Sequence, residues 1–183
     1  MARRPLTGEP LPLDLVNTRW PANGVVHDEL GDPVGLAGWL HEHGLEVDEP
    51  RHCAEPLRAA RAAIRLSLEE GGDDQVNAVL AHGSLRPLLE DGAPSEHLEL
   101  DSEAWRPAWP AARAYLGLLS TAPPGRLRHC EGTGCVLWFL DTSRSGRRRW
   151  CSMSGCGNRA KAKAHYQRTP GNRTAPRRSP HEA

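Results

Sequence analysis

Four cysteines in the last third of the chain restrict its fold more than any other feature. Cys130 and Cys135 form one C-x4-C pair, Cys151 and Cys156 form a second, and fifteen residues separate the two pairs. Each pair can bind one ion from a tight turn, and fifteen residues are enough for two strands and a loop that bring the pairs together. Four thiolates complete a tetrahedral shell with no open position for water, so the pattern predicts a structural Zn²⁺ site.

Other uses of the four cysteines are open at this point. They could bind an iron–sulfur cluster, although the chain has no motif for a flavin or a redox partner. Two disulfides are disfavoured, because "MARRPLTGEPLPL" lacks the apolar stretch of a secretory signal and no apolar run approaches the roughly 18 residues of a membrane span. We therefore expect a cytoplasmic protein without membrane segments, in a compartment that keeps thiols reduced. Cys53 is predicted to be an ordinary thiol.

The formal net charge of zero conceals a division between an acidic and a basic part. Residues 1–125 contain 10 Lys and Arg against 20 Asp and Glu, a net charge of −10, whereas residues 126–183 contain 13 against 3, a net charge of +10. Clustered Lys and Arg displace counterions from phosphates, so the basic part is predicted to bind nucleic acid. The alternative, electrostatic docking of one part onto the other, could coexist with such binding.

The acidic part is predicted to be mainly helical. Three segments, "DPVGLAGWLHEHG", "EPLRAARAAIRLSLEEGG" and "DDQVNAVLAHG", place apolar residues at helical spacing and end in glycine. In the first segment, Asp32 can cap the helix, Pro33 suits its first turn, and Gly44 can end it in the left-handed conformation. Apolar residues from Trp105 to Leu119 have the same spacing, and "LRPLLEDG" followed by "HLELD" favours a β-hairpin before them.

The segment "TAPPG" breaks helical structure where the charge reverses, and it predicts a domain boundary. We predict four parts: an acidic helical domain over residues 1–122, a linker over residues 123–125, a four-cysteine zinc finger over residues 126–168, and a disordered basic tail over residues 169–183. The tail has almost no apolar content with which to build a core.

The finger is predicted to combine metal-binding turns with a β-hairpin and a basic helix. "VLWFLD" between the cysteine pairs is strand-like, and Trp138 and Trp150 can contribute to a small core around the metal. Stacking of either tryptophan on nucleic-acid bases is the alternative. Asn158 is a favourable N-cap, so a helix should begin at Arg159 and end near residue 168, before Thr-Pro-Gly.

Basic residues on both sides of the second cysteine pair are the candidate nucleic-acid contacts. Arginines on the preceding loop are predicted to bind phosphates, and cations on the following helix are predicted to reach base edges. Alanines between the helical cations would let the helix approach a groove closely. The candidates are Arg144, Arg147, Arg148, Arg149, Asn158, Arg159, Lys161, Lys163 and Arg168.

The basic segment also resembles a known family. "RHCEGTGCVLWFLDTSRSGRRRWCSMSGCGNRAKAKAHYQR", residues 128–168, is similar to the CGNR zinc finger, whose name matches Cys156, Gly157, Asn158 and Arg159 here. The resemblance implies that the four cysteines bind zinc.

The N-terminal part carries a second resemblance. "PLDLVNTRW" and "HDELGDPVGLAGWL" look like the first segments of the ABATE domain, which usually precedes the CGNR finger and is described as a stress-induced transcription regulator. Together the two resemblances imply a bacterial DNA-binding regulator. The acidic first domain has no lysine, so we do not expect it to contact DNA.

Two polar residues of "LDLVNT", Asp14 and Asn17, lie within an apolar pattern. We predict that they flank one face of a helix that extends to Trp20. They either make buried hydrogen bonds that fix the fold, which we favour, or contribute to a ligand pocket. His41 and His43 are two residues apart on a predicted helix, point in different directions, and are interpreted as surface residues.

The sequence therefore predicts a mainly α fold, with a small helical domain that includes a β-hairpin and a C-terminal four-cysteine finger. The leading hypothesis is a zinc-dependent transcription regulator whose finger contacts double-stranded DNA and whose helical domain dimerises or senses a small-molecule effector. A single finger would bind weakly alone, so we expect a homodimer or a partner protein. The alternatives are an RNA-binding zinc module and a protein–protein adaptor with a structural zinc site. An enzyme is least favoured, since the chain has no HExxH, phosphate-binding loop or nucleophile elbow.

Overall fold

A computed structural model describes residues 3–168 of the chain. Most of its regular structure is helical, with short hairpins between the helices. The helices are α1 (Leu11–Val16), α2 (Pro33–Glu42), α3 (Ala54–Glu70), α4 (Asp74–Leu80), α5 (Ala108–Thr121) and α6 (Asn158–Arg168). The strands are β1 (Arg19–Ala22), β2 (Val25–Asp28), β3 (Gly83–Glu90), β4 (Ala93–Leu100), β5 (Leu127–His129) and β6 (Trp138–Leu140). The tail predicted to be disordered, residues 169–183, lies outside the described residues.

The helical core forms around α3, which packs against α1, α4 and α5. Leu57 and Ile64 of α3 are fully buried there, together with Leu13 of α1 and Trp39 of α2. The predicted end signals of α2 are confirmed: the Asp32 carboxylate accepts a hydrogen bond from the backbone N–H of Gly35 at 2.8 Å, and Gly44 has a φ of +62°. Capping and amphipathic spacing thus account for α2, and amphipathic spacing accounts for α3 to α5, whose N-cap residues make no side-chain hydrogen bond.

Three two-stranded antiparallel sheets accompany the helices in the described part of the chain. The pair β3–β4 lies where the sequence predicts a hairpin, whereas β1–β2 is not predicted. The strand-like segment VLWFLD contains β6, but its partner β5 precedes Cys130, so the two strands do not both lie between the cysteine pairs as expected. The expectation of a helix reaching Trp20 is wrong, because α1 ends at Val16 and Trp20 lies in β1. Pro21 follows, and its missing N–H would interrupt a helix at this point.

The hairpin β1–β2 is attached to α3 by a buried arginine. Arg61 donates two hydrogen bonds to the Asp28 carboxylate, at 2.6 and 2.7 Å, and one to the Thr18 hydroxyl at 2.9 Å. Burial is the largest single influence on the pKa of Asp28 and acts to raise it. The hydrogen bonds and charge of Arg61, the N–H of Leu30 and the charge of Arg58 together lower this pKa below its ordinary value.

Residues on both sides of the predicted boundary are in direct contact. Asn17 donates to the Trp138 carbonyl at 2.8 Å and accepts from the Trp138 N–H at 2.9 Å, so its side chain pairs with β6 as a strand would. The Glu9 carboxylate accepts from the N–H of Leu140 at 2.8 Å. Arg65 of α3 adds a hydrogen bond to the Val136 carbonyl at 3.2 Å. The cysteine-bearing segment is therefore held against α1 and α3. None of the helices between residues 3 and 168 has the length and hydrophobicity that a membrane span requires.

Candidate metal centre and nucleic-acid interface

The four cysteine sulfurs converge on one point beside β5 and β6. Their Sγ atoms all lie within 4.8 Å of one another, with 3.9 Å between Cys135 and Cys151 and 3.7 Å between Cys151 and Cys156. A Zn–S bond of about 2.3 Å implies about 3.8 Å between the sulfurs of a tetrahedral site. The donor set and its dimensions therefore fit Zn²⁺.

Several N–H groups point at these sulfurs. Cys130 Sγ accepts from the backbone N–H of Cys151 at 3.2 Å and from that of Gly132 at 3.4 Å. The Arg159 guanidinium donates to Cys156 Sγ at 2.9 Å. Such donors stabilise thiolates and orient them toward a metal. A Cβ at Gly132 would lie 2.6 Å from Cys156 Sγ, so only glycine fits beside the site.

The sulfurs are too close together for all four to ionise without a balancing cation. The hydrogen bond from Cys151 lowers the pKa of Cys135 to about 5, and the same bond raises the pKa of Cys151. Burial raises the pKa of Cys156 to about 11. A divalent ion removes this conflict, since all four sulfurs can then be thiolates.

The core around the metal site includes a residue that the sequence did not indicate. Trp20 from β1 packs with Leu137, Phe139 and the cysteines, and Trp150 is half-buried against this cluster. Trp138 faces the opposite way and packs into the helical core, with 8 % of its surface exposed. A base therefore has no open ring face of Trp138 on which to stack.

The helix α6 continues directly from the metal site. The expected N-cap role of Asn158 is wrong, because Asn158 has helical φ and ψ angles. Helical hydrogen bonding begins five residues earlier, in a π-helical turn over Met153–Gly157 that contains the ligand Cys156. Ser152 is the capping residue, and its hydroxyl accepts from the N–H of Gly155 at 3.0 Å. The metal thus fixes the first turn from which α6 extends.

Comparison with protein families agrees with this geometry. Residues 126–169 match the CGNR zinc finger family. Residues 9–122, more than half of the chain, match the ABATE family, described as "Putative stress-induced transcription regulator". The chain belongs to the ABATE family. Its C-terminal part is a CGNR zinc finger whose cofactor is Zn²⁺, with the sulfurs of Cys130, Cys135, Cys151 and Cys156 clustered to receive it. The comparison with curated proteins gives no match.

The candidate nucleic-acid contacts of the CGNR finger fall into two groups. Arg144 and Arg147 on the loop after β6, and Lys161 and Lys163 on α6, are exposed. Their side chains make no hydrogen bond or ion pair with any group that the structure describes between positions 3 and 168. Asn158 is also exposed, and its amide donates to the Ser154 carbonyl at 3.4 Å. Arg168 is the last residue of α6.

The second group consists of arginines that already have partners inside the protein. Arg148 lies 4.2 Å from the centre of the Phe139 ring and donates to the carbonyls of Trp150 and Cys151. Arg149 forms an ion pair with Glu131 at 2.6 Å, and Arg159 donates to the metal ligand Cys156. Contact of either group with nucleic acid stays a prediction.

The ABATE part contains a polar cluster around Asp14. Asp14 is fully buried, and its Oδ1 accepts from Trp39 Nε1 at 3.0 Å, faces His43 Nε2 at 3.0 Å and lies 2.7 Å from Arg4 Nη1. The interpretation of His43 as a surface residue is wrong, since only 15 % of its side chain is exposed, whereas His41 is exposed as predicted. A buried aspartate within an apolar run was the only sign of this cluster in the sequence.

Proposed function

We propose that this protein is a DNA-binding transcription regulator whose CGNR finger contacts duplex DNA. The observation that carries the proposal is α6, an 11-residue helix that begins at the metal site, has no acidic residue and exposes Lys161 and Lys163. A helix without a substantial apolar face is poorly suited to burial in a core. Its exposed cations suit a groove lined by phosphates.

The charge of the finger supports the same conclusion. Residues 126–168 contain 10 Lys and Arg against 2 Asp and Glu, a net charge of +8. Arg144 and Arg147 precede the second cysteine pair, and the cations of α6 follow it. In the proposed complex, the loop arginines bind phosphates, and Lys161 and Lys163 enter the major groove, with Arg159 and Arg168 at the two ends of the helix.

Burial of the two tryptophans of the finger favours duplex DNA over single-stranded RNA, and Tyr166 of α6, 79 % exposed, is the aromatic ring that it leaves open. Single-strand binders stack bases on exposed aromatic rings. Trp138 is buried in the helical core and Trp150 is half-buried beside the cysteines. The finger exposes cations whose side chains have no partner among the described residues. A protein–protein adaptor would not need such cations.

We also propose the division of labour between the two parts. Residues 1–122 act as an acidic regulatory domain, residues 123–125 as a linker, residues 126–168 as the DNA-binding finger, and residues 169–183 as a basic tail that adds phosphate contacts. A regulator of this kind works in the cytoplasm and catalyses no reaction. Its helical domain senses a small-molecule effector or pairs with a second copy or a partner protein. Leu116 and Leu119 of α5, 40 % and 49 % exposed, offer an apolar surface for such pairing.

Fluorescence anisotropy tests the proposal directly. The zinc-loaded protein is titrated into labelled mixed-sequence duplex DNA and into single-stranded RNA, before and after removal of zinc by a chelator. We expect duplex binding that is tighter than RNA binding and is lost on chelation. Equal binding to both nucleic acids would favour the RNA-binding module, and no binding to either would favour the adaptor.

A pair of variants assigns the binding surface. Lys161→Ala combined with Lys163→Ala removes two exposed cations from α6, whereas Arg113→Ala removes one exposed cation from α5 of the acidic part. The double variant should weaken duplex binding, and Arg113→Ala should not. If both bind DNA as the unaltered protein does, α6 is not the contact helix.

A further inference from the structure

The cluster around Asp14 contains more negative charge than its single arginine can balance. Arg4 lies between three carboxylates: its Nη1 is 2.7 Å from Asp14 Oδ1 and 3.2 Å from Glu29 Oε2, and its Nη2 bonds Glu42 Oε2 at 2.5 Å. With all three ionised and His43 neutral, the group has a net charge of −2. One divalent cation would neutralise it.

Buried atoms without partners show that the network is incomplete. All donors to Asp14 converge on Oδ1, while Oδ2 is buried and has no hydrogen-bond partner within the described residues. Nε and Nη1 of Arg4, whose side chain is 3 % exposed, and Oε2 of Glu29 are likewise buried without a hydrogen bond, and Nη1 has only ion-pair contacts with Asp14 and Glu29. A buried carboxylate oxygen with no donor is costly, and a cation is the partner that its charge favours.

The ligand atoms have the spacing of a metal site. One carboxylate oxygen each from Asp14 and Glu42 and one ring nitrogen of His43 lie within 4.8 Å of one another. His43 Nε2 and Asp14 Oδ1 are 3.0 Å apart. In an octahedral site, two adjacent ligands at about 2.1 Å from the ion would be separated by about 3.0 Å. The indole N–H of Trp39 already holds the Asp14 carboxylate from behind, as outer partners of metal ligands do.

Two of the three ligands are open to solvent, since the side chains of Glu42 and His43 are 44 % and 15 % exposed. A cavity of about 450 Å³ adjoins the cluster and is lined by Arg4, Glu29 and Glu42, together with residues of β2, but not by Asp14 or His43. Glu42 can turn toward an incoming ion, while Asp14 is fixed below it.

We propose that Asp14, Glu42 and His43 bind one divalent transition-metal ion, at a second site separate from the four cysteines. Two carboxylates and one imidazole suit Mn²⁺, Fe²⁺, Co²⁺, Ni²⁺ or Zn²⁺, but not an ion that requires sulfur. When the ion binds, the unprotonated Nε2 of His43 coordinates it. Arg4 then loses its ion pair with Glu42 and retains its ion pair with Glu29. Asp14 lies in α1, and Asn17, which pairs with β6, caps the end of the same helix. The ion would therefore bind next to the contact between the ABATE part and the finger.

The test uses the full chain with one zinc per molecule and Mn²⁺ as the probe. Mn²⁺ favours carboxylate ligands over thiolates, and its free concentration can be followed by electron paramagnetic resonance. We expect one saturable Mn²⁺ site per chain. His43→Gln should weaken Mn²⁺ binding at least tenfold, because loss of a residue that only hydrogen-bonds a metal ligand already weakens metal binding about tenfold or more. Glu42→Gln should also weaken it. His41→Gln, on the same helix but exposed and paired with Glu46, is the matched control and should bind as the unaltered protein does.

Arg4→Gln provides a result that misfolding cannot imitate. Removing the competing guanidinium should tighten Mn²⁺ binding, because the three carboxylates then lack any other cation. Equal Mn²⁺ affinity of the unaltered protein and His43→Gln would overturn the proposal, as would the absence of saturable binding in both the unaltered protein and Arg4→Gln. Either result would make the cluster an ion-pair network only.

Discussion

At the scale of single residues, Arg147 and Arg148 are neighbours in the sequence with opposite surroundings. Arg147 is exposed, whereas Arg148 bridges the Phe139 ring and two carbonyls next to the metal ligands. Hydrogen bonds from a charged donor contribute about 1.5–3 kcal/mol each. We therefore expect Arg148→Ala to lower the free energy of unfolding by about 2–4 kcal/mol, and Arg147→Ala to leave it nearly unchanged, as measured by urea denaturation of the zinc-loaded protein.

In DNA binding, the order of the two arginines should be reversed: loss of Arg147 should weaken duplex affinity more than loss of Arg148. Loss of one phosphate contact releases about one counterion fewer, so Arg147→Ala should reduce duplex affinity on the order of fivefold near 0.1 M salt. Arg148→Lys keeps the charge but loses the planar contact with Phe139, and serves as the second variant. A destabilised Arg147→Ala protein, or an Arg148→Ala protein of normal stability, would contradict the assignment.

Asn17 is the residue on which the contact between α1 and β6 depends. Asn17→Ala would leave the buried N–H and carbonyl of Trp138 without partners, at about 1–3 kcal/mol each. We expect a loss of about 2–4 kcal/mol in the free energy of unfolding. Asn77→Ala, an exposed asparagine of α4, is the control and should change stability by less than about 0.5 kcal/mol. Similar losses in the two variants would mean that the Trp138 contact has no special weight.

Residue roles could be predicted only where the partners are close in sequence. The four ligands follow from their spacing, because two closely spaced cysteine pairs are typical of structural zinc sites. Asn17 and Trp138 are 121 residues apart, and nothing near Asn17 indicates which backbone its amide will meet. The same holds for His43, whose partner Asp14 lies 29 residues away. These roles depend on the tertiary fold.

At the scale of elements, helices α2 to α5 could be predicted because caps and amphipathic spacing are local signals. The hairpin β1–β2 was missed because Val25 and Val26 are exposed, so the alternation of buried and exposed residues that identifies a strand is absent. The start of α6 was misplaced because the π-helical turn before it depends on the metal site.

Removal of zinc should therefore affect particular elements. The cysteines, Trp20 and Phe139 share one core, so chelation should expose the amides of β5, β6 and β1. Helices α3 and α5 belong to the separate core around Leu57 and should keep their protection. Hydrogen exchange with and without chelator measures this difference. Uniform loss of protection over all helices would show instead that the finger and the helical core unfold as one unit.

At the scale of the whole molecule, opposite charges are separated along one chain: −10 before residue 126 and +8 over residues 126–168. In the proposed complex, an acidic body repels DNA and leaves the finger as the surface that approaches it. Bonds within the finger limit how many of its cations are available for phosphate contacts, since Arg148, Arg149 and Arg159 already have partners there.

The salt dependence of DNA binding reports this number directly. Each phosphate contact contributes about −0.9 to the slope of log affinity against log salt concentration. Arg144, Arg147, Lys161 and Lys163 are the exposed cations of the finger whose side chains have no partner among the described residues, so they predict a slope of about −4, made steeper by any contacts of Arg168 and the tail. Lys161→Ala combined with Lys163→Ala should reduce the magnitude of the slope by about 2, whatever the tail contributes, because the tail is common to both proteins. Arg149→Ala should change it by much less than 1, since Arg149 must first leave Glu131. A reduction as large for Arg149 as for a lysine of α6 would mean that the ion pair opens on DNA and that the finger offers more cations than its free structure exposes.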